Sequence, residues 1–167
     1  LSPILKNSGL NTVLSGVEQS DISDAKKSLD FMHNNGVLPL FAQMNTHTYV
    51  ADRRNRTQTG ALSKAYGLRN WMSEVCFGTE NVGGDVSAAI QSMVEDLRYL
   101  QPVAWVEWQY VERPAGEKNQ HGWGVIGSDL YNGKQEYTRQ KRYYFDKQLM
   151  NGFRPGCRFI TSLNDQS

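Results

Sequence analysis

The sequence has 167 residues, a formal net charge of +1 and 21% charged residues, which is enough for one domain with a real core and implies no polyanion partner such as nucleic acid. No apolar run reaches the roughly 20 residues of a membrane span, and no signal peptide opens the chain. Two cysteines (Cys76, Cys157) and three scattered histidines (His33, His47, His121) match neither a disulfide framework nor a metal-ligand spacing, so no metal or cofactor is implied.

The first β-prone run is Leu10 to Glu18, ending in a carboxylate. Asp21 can cap the helix that follows, where Ile22, Ala25, Leu29 and Met32 recur at helical spacing until Asn34-Asn35-Gly36. Leu38 to Tyr49 reads as a second strand, with Gln43, Asn45, His47 and Tyr49 on one face and Ala42, Met44, Thr46 and Thr48 on the other. A polar stripe inside a buried strand is unusual, because each polar group must find a partner. The interior of a barrel near a site would supply partners; an edge strand with one wet face is the alternative. Asp52-Arg53-Arg54-Asn55-Arg56 reads as a solvated charged loop before a modest helix that ends at Tyr66-Gly67.

The third run, Asn70-Trp71-Met72-Ser73-Glu74-Val75-Cys76, is short, largely apolar and broken by Gly78 and Gly83-Gly84. It reads as a buried parallel strand whose last residues emerge at its carboxyl end. A glutamate there has the placement of a nucleophile or general acid, although strand-end glutamates more often serve ion pairs. Asp85 then caps the clearest helix, with Val86, Ala89, Ile90, Met93, Leu97 and Leu100 on one face and Pro102 as its stop. Val103 to Gln109 is the fourth strand. After a loop from Arg113 to Trp123 come a short apolar piece (Trp123 to Ile126), a helix over about Arg139 to Leu149, and the turn Arg154-Pro155-Gly156. Cys157 to Ile160 starts a last β-prone run.

Four strand-helix units of roughly 30 to 40 residues each point to an α/β fold with a parallel sheet. A doubly wound sheet would carry a glycine-rich phosphate turn after its first strand, and the Glu18 to Asp21 turn has none. A (β/α)8 TIM barrel needs about 250 residues, so this chain has room for roughly half of one.

Several segments carry a family likeness: Asn45-Thr46-His47-Thr48-Tyr49, Trp71-Met72-Ser73-Glu74, Leu100 through Gln109 (LQPVAWVEWQ), Gly122-Trp123-Gly124-Val125-Ile126 and Phe153-Arg154-Pro155-Gly156. In this order and spacing the chain resembles glycoside hydrolase family 30, retaining clan A barrels, and within it the endo-β-1,6-galactanases. The likeness runs from about Leu10 to Ile160. It implies the carboxyl-terminal half of the barrel, strands 5 to 8 with their helices, over 1–153, and over 154–167 the start of a side β-domain whose first strand the last residues would supply.

The resemblance also implies roles. Glu74 matches the catalytic nucleophile, while Tyr49 and Trp108 match aromatics lining the sugar subsite at the scissile bond. His47 supports the site by hydrogen bonding, and Cys76, two residues past Glu74, sits beside the same pocket. His47 and Tyr49 could supply the donors that an ionised nucleophile needs, and Trp108 could present a π-face to the sugar. Trp105, out of phase with Trp108, is expected to pack against outer helices, with Glu107 and Gln109 at the rim or behind the substrate-contacting residues. Glu18 invites reading as a second carboxylate, but a supporting hydrogen bond or ion pair fits better. The family's acid/base follows an Asn on strand 4, upstream of this sequence, and Leu1 suggests a processed or excised piece. The resemblance thus implies a polysaccharide or oligosaccharide substrate, a secreted or periplasmic location, and either a missing amino-terminal half-barrel or self-association. A non-catalytic half-barrel that binds glycan or serves assembly is the alternative.

Overall fold

The structure is a computed structural model that describes residues 2–77, 86–112, 123–129 and 133–160. The expected glycine breaks at 78 and 83–84, the Asp85 cap and residues 113–122 of the expected loop lie outside the described residues. After a short helix α1 (Ser2–Asn7), the elements run β1 (Leu14–Asp21), α2 (Ile22–Asn34), β2 (Phe41–Val50), α3 (Arg53–Ala65), β3 (Arg69–Glu74), α4 (Val86–Glu95) and β4 (Ala104–Trp105). All four strands are parallel and pair in the order β1-β2-β3-β4. Sequential order with a helix in every connection is the α/β rhythm the sequence announces.

Local chemistry explains the helix ends. The Asp21 side chain accepts from the Ser23 N–H and Asp52 from the Asn55 N–H, each satisfying an orphan donor of the first turn. In α2 the buried residues are Ile22, Ala25, Leu29 and Met32, the four expected. Gly36 closes the connection in the left-handed region at φ +67°. Helix α4 continues into a π-helical turn, Asp96–Leu100, capped by Gln101 at φ 55° before Pro102. Of its expected apolar face, Ala89, Met93 and Leu100 are buried whereas Ile90, on the flank of the stripe, is exposed.

Three readings need correction. Leu38–Leu40 forms a 3-10 turn with Pro39 near its start, so β2 begins only at Phe41. Proline cannot donate to a sheet ladder, which accounts for the delay. The stretch after Asp52 is no solvated loop: Arg53 to Arg56 form the first turn of α3, and Arg56 is 3% exposed. A second sheet was not anticipated at all. Its order is β5 (Val111–Glu112), β6 (Ile126–Ser128) and β7 (Tyr137–Arg139), with β5-β6 parallel and β6-β7 antiparallel. Helix α5 (Lys141–Gly152) follows, and the Arg154 to Cys157 turn closes with a 2.9 Å bond from the Cys157 N–H to the Arg154 carbonyl. Residues 157–160 carry no regular secondary structure, and 161–167 lie outside the described residues.

Two apolar clusters glue helices to one face of the main sheet. Ile22, Met72, Val75 and Leu100 form one; Leu29, Met32, Leu38 and Met44 form the other. Trp105 borders the first and stacks on Phe77 at 6.3 Å, with planes 5° apart. Its indole donates to the buried Asp96 carboxylate at 3.0 Å. Asp96 also accepts from Thr48 (3.0 Å) and from Arg56 Nε (2.8 Å), while Arg56 Nη1 reaches Glu95 at 2.7 Å. One carboxylate therefore joins β2, α3, α4 and β4. Helix α3 comes close enough that a Cβ on Gly60 would stand 2.5 Å from the Leu100 carbonyl oxygen, so only glycine fits there.

Burial pushes the Asp96 carboxyl above its ordinary range even against Arg56, Trp105 and Thr48. Arg56→Met would leave that carboxylate without its cation, and removing one partner of a buried pair typically costs about 3–5 kcal/mol. The folded carboxyl keeps a proton the unfolded chain gives up, so its contribution fades as pH rises, and the Met variant should lose most at neutral pH and above. Urea unfolding at pH 4 and pH 8 measures both; an equal, sub-kcal/mol loss at each pH would contradict the role of the pair.

Candidate active site

Opposite the apolar clusters, the carboxyl-terminal ends of β1, β2 and β3 bring polar side chains together. The β2 phase holds as read: Gln43 donates to Asn45 at 2.7 Å, Asn45 and His47 reach Glu18, and Tyr49 reaches Glu74. On the other face Met44 enters the core and Thr48 binds Asp96.

Strict alternation in β3 would place Glu74 beside Met72, yet Met72 and Val75 are the buried pair. A register shift resolves the conflict. Thr46 faces Met72 while His47 faces Glu74, so Ser73 is an extra residue, and both Ser73 and Glu74 turn toward the site. Strand β1 shifts likewise between Val17 and Gln19, leaving Glu18 as the extra residue at φ 66°. A non-glycine residue held in the left-handed region carries strain, which the surrounding bonds must offset. The two extra residues meet: Ser73 Oγ donates to Glu18 Oε2 at 2.7 Å.

Glu74 is the centre of the group. The Tyr49 hydroxyl donates to its Oε1 at 2.9 Å, and His47 Nε2 lies 3.8 Å from its Oε2. The same Nε2 is 3.1 Å from Glu18 Oε2, within hydrogen-bonding reach. Facing two carboxylates, Nε2 carries the proton and donates it to Glu18. Burial, the bond to Glu74, the Glu74 charge and the nearby Cys76 all raise the Tyr49 phenol far above its ordinary range, so it remains a donor. Burial pushes Glu18 up, but bonds from Ser73, Asn45 and His47 outweigh it and hold the carboxyl below its ordinary range. Glu18 is thus a supporting carboxylate, as expected. Cys76 is half-buried near Tyr49.

Trp108 lies three residues beyond β4, beside the carboxyl end of β3. Its N–H bonds the Val75 carbonyl at 2.8 Å, one residue past Glu74, and the ring is 44% exposed. Trp105 packs toward the helices as expected, but the fourth strand read as Val103 to Gln109 is regular only over Ala104–Trp105, because the chain beyond it leaves the ladder. Glu107 is not a rim group. Its side chain is 8% exposed and pairs with the buried Arg142 of α5 at 2.5 Å, with Asp146 alongside. No sequence signal singled out Arg142 or Asp146, because α5 has no clear apolar stripe to orient them.

Burial first, then the Asp146 charge, pushes Glu107 up to about 8 despite Arg142. The folded chain therefore holds a proton that the unfolded chain releases near the ordinary value of 4.5. This contribution is full below that value and is lost as pH rises through about 8. Glu107→Gln cannot titrate, so its melting temperature should fall less than the wild type's between those two pH values. Parallel melting curves would contradict the assignment.

With the geometry in hand, known proteins can be set beside it. No family model matches the chain. A curated endo-β-1,6-galactanase from Hypocrea rufa is 27% identical over 129 residues, covering 77% of this chain and 24% of its own length. A family 30 endoxylanase from Clostridium papyrosolvens superposes with a TM-score of 0.62 at 18% identity, over 93% of this chain and 36% of its own. The chain resembles glycoside hydrolase family 30. An endo-β1,6-glucanase (TM-score 0.61, 18% identity) covers 86% of this chain and 34% of its own. The catalytic domain of family 30 xylanase C from Talaromyces cellulolyticus (0.58, 14%) covers 84% and 31%. The α/β fold is similar to family 30 catalytic domains, and the chain spans about a quarter to a third of these family 30 relatives. The curated relative and the solved structures bear glycanase names, and this chain is similar to part of each.

Proposed function

We propose that this chain supplies strands 5 to 8 of a retaining family 30 barrel, with β1 to β4 in those places, and that the complete enzyme hydrolyses β-1,6-galactan or a related β-glycan outside the cytoplasm. Residues 154–167 would begin its side β-domain. The observation that carries the reading is the Tyr49-Glu74-His47 group at the carboxyl ends of adjacent parallel strands, where barrels place their chemistry. Glu74 attacks the anomeric carbon. Tyr49 holds its Oε1 so that Oε2 is presented, and Trp108 offers its ring to the sugar at the scissile bond. The proton for the leaving oxygen comes from a carboxyl outside this chain, about 5 to 5.5 Å from Glu74 in a retaining site. Glu18 is a poor donor, since its carboxyl is held below the ordinary range.

The test joins this chain to an acid/base half-barrel and follows the first product of a β-1,6-galacto-oligosaccharide by proton NMR. The β anomer should appear first. An α product would exclude a Glu74-bound intermediate, and binding without cleavage would favour a glycan-binding role.

The two tryptophans separate stability from binding. Trp105→Ala should lower unfolding free energy by about 3–5 kcal/mol, a core aromatic's truncation cost, with KM unchanged. Trp108→Ala should raise KM about tenfold through lost aromatic contact and leave the melting temperature near wild type. A reversed pattern would mean that the two faces of the fourth strand have been exchanged.

A further inference from the structure

We infer that Arg142 is a positioning residue for Trp108, an inference that rests on the subsite reading above. The residue before Trp108 is Glu107, whose Oε1 takes Arg142 Nη1 at 2.5 Å. The residue after it is Gln109, whose N–H donates to the Trp123 carbonyl at 3.3 Å, and Arg142 Nη2 bonds that same carbonyl. One guanidinium thus grips both flanks of the exposed ring. The grip is buried: Arg142 is 0% exposed, and the Glu107 side chain 8%. It is also braced. Val125 N–H returns to the Gln109 carbonyl at 2.9 Å, and Gln140 N–H to the Val125 carbonyl at 3.0 Å, at the threshold of α5. Asp146, one turn further along α5, faces the same pair and supplies the second carboxyl.

A planar fork that holds two acceptors in fixed directions is a task for arginine rather than lysine. Beyond β4 the segment is also tied by the Val106 N–H bond to the Met72 carbonyl (2.9 Å), the Trp108 N–H bond to Val75 (2.8 Å) and the Ile126 N–H bond to the Tyr110 carbonyl (2.8 Å), and the Arg142 fork adds side-chain contacts next to the ring. An aromatic platform needs a fixed plane, because a gap of about 0.5–1 Å already forfeits a quarter to a half of the contact energy. The arrangement therefore makes α5 the support of Trp108.

The experiment is a double-variant cycle in the complete enzyme, with KM, kcat and melting temperature measured on a β-1,6-galacto-oligosaccharide. Arg142→Met should raise KM about as much as Trp108→Ala, roughly tenfold, and the double variant should be no worse than Trp108→Ala alone. Combined with Tyr49→Phe, the Arg142→Met effect should multiply instead. A general packing role would make both combinations multiply, which would overturn the inference. Should Arg142→Met fail to fold, Arg142→Lys, which keeps the charge but only one of the two bonds, should show an intermediate KM and the same non-additivity with Trp108→Ala; a wild-type KM would overturn it. If Trp108→Ala itself leaves KM unchanged, the subsite reading fails, and the inference with it.

Discussion

Glu74→Gln in the complete enzyme should lose roughly 10⁴- to 10⁶-fold in turnover, the range seen when a covalent nucleophile is removed, while fold and glycan affinity stay nearly intact. The structure explains the expected selectivity. Glutamine keeps an oxygen for the Tyr49 hydroxyl, now 2.9 Å from Glu74 Oε1, and keeps the side chain's volume between Tyr49 and His47. What it lacks is the anionic oxygen that, in the mechanism proposed above, forms the bond to the anomeric carbon. Glu74→Ala opens a gap at that position, and azide should restore part of the rate by attacking from the vacated side. Initial rates, a binding isotherm and azide titration suffice. Hydrolysis by the Gln variant within tenfold of wild type would remove Glu74 from the mechanism.

Residues 1–167 alone should release no measurable reducing sugar from galacto-oligosaccharide. General acid catalysis contributes about 10² to 10⁴ in rate, and in the reading proposed above the acid lies outside this chain. Glu18, the other carboxylate of the site, accepts bonds from Ser73, Asn45 and His47 and so favours its ionised form. The isolated chain should also associate. Strands β1 and β4 end the parallel sheet on either side, and Val103, Val106, Trp108 and Tyr110 are exposed along the β4 side. Open edges flanked by apolar surface recruit partners. Size-exclusion chromatography should show a dimer or larger species, and mixing with an acid/base half-barrel should restore turnover. A monomer that cleaves glycan unaided would require a second working carboxylate here, and Glu18→Gln would be the first variant to make.

The sequence disclosed most where one short rule suffices. Alternation in β2 separated Asn45, His47 and Tyr49 from Met44 and Thr48, because that strand runs straight through a two-sided environment. The α2 stripe and its Asp21 cap were equally legible. In β3 the same rule would have turned Glu74 toward the core, while its strand-end position and the Trp-Met-Ser-Glu likeness pointed to the site; the extra residue that reconciles them is a pairing event between strands, invisible within either. The buried bonds of Arg56 and Arg142 were missed for a related reason. Charge predicts exposure until a partner at long range cancels the cost of burial, and Asp96 and Glu107 lie 40 and 35 residues away. The second sheet escaped because its strands, two or three residues each, are too short for any period to show.

The paired irregularities at Glu18 and Ser73 give the site a particular tolerance profile. Side-chain changes elsewhere on β1 and β3 alter contacts one at a time, whereas losing or gaining a single residue there changes the pairing of adjacent strands and removes or displaces the Glu18-Ser73 contact. Removing residue 73 would yield a smoother ladder in which Glu74 follows Met72 directly and still faces the site, but it would take away the Ser73 bond to Glu18 that ties the two irregularities together. In a lineage of such chains, length at these two places should drift far less than composition. A library that randomises residues freely but holds the spacing from 17 to 19 and from 72 to 74 should retain many more working clones than one that allows single-codon deletions there.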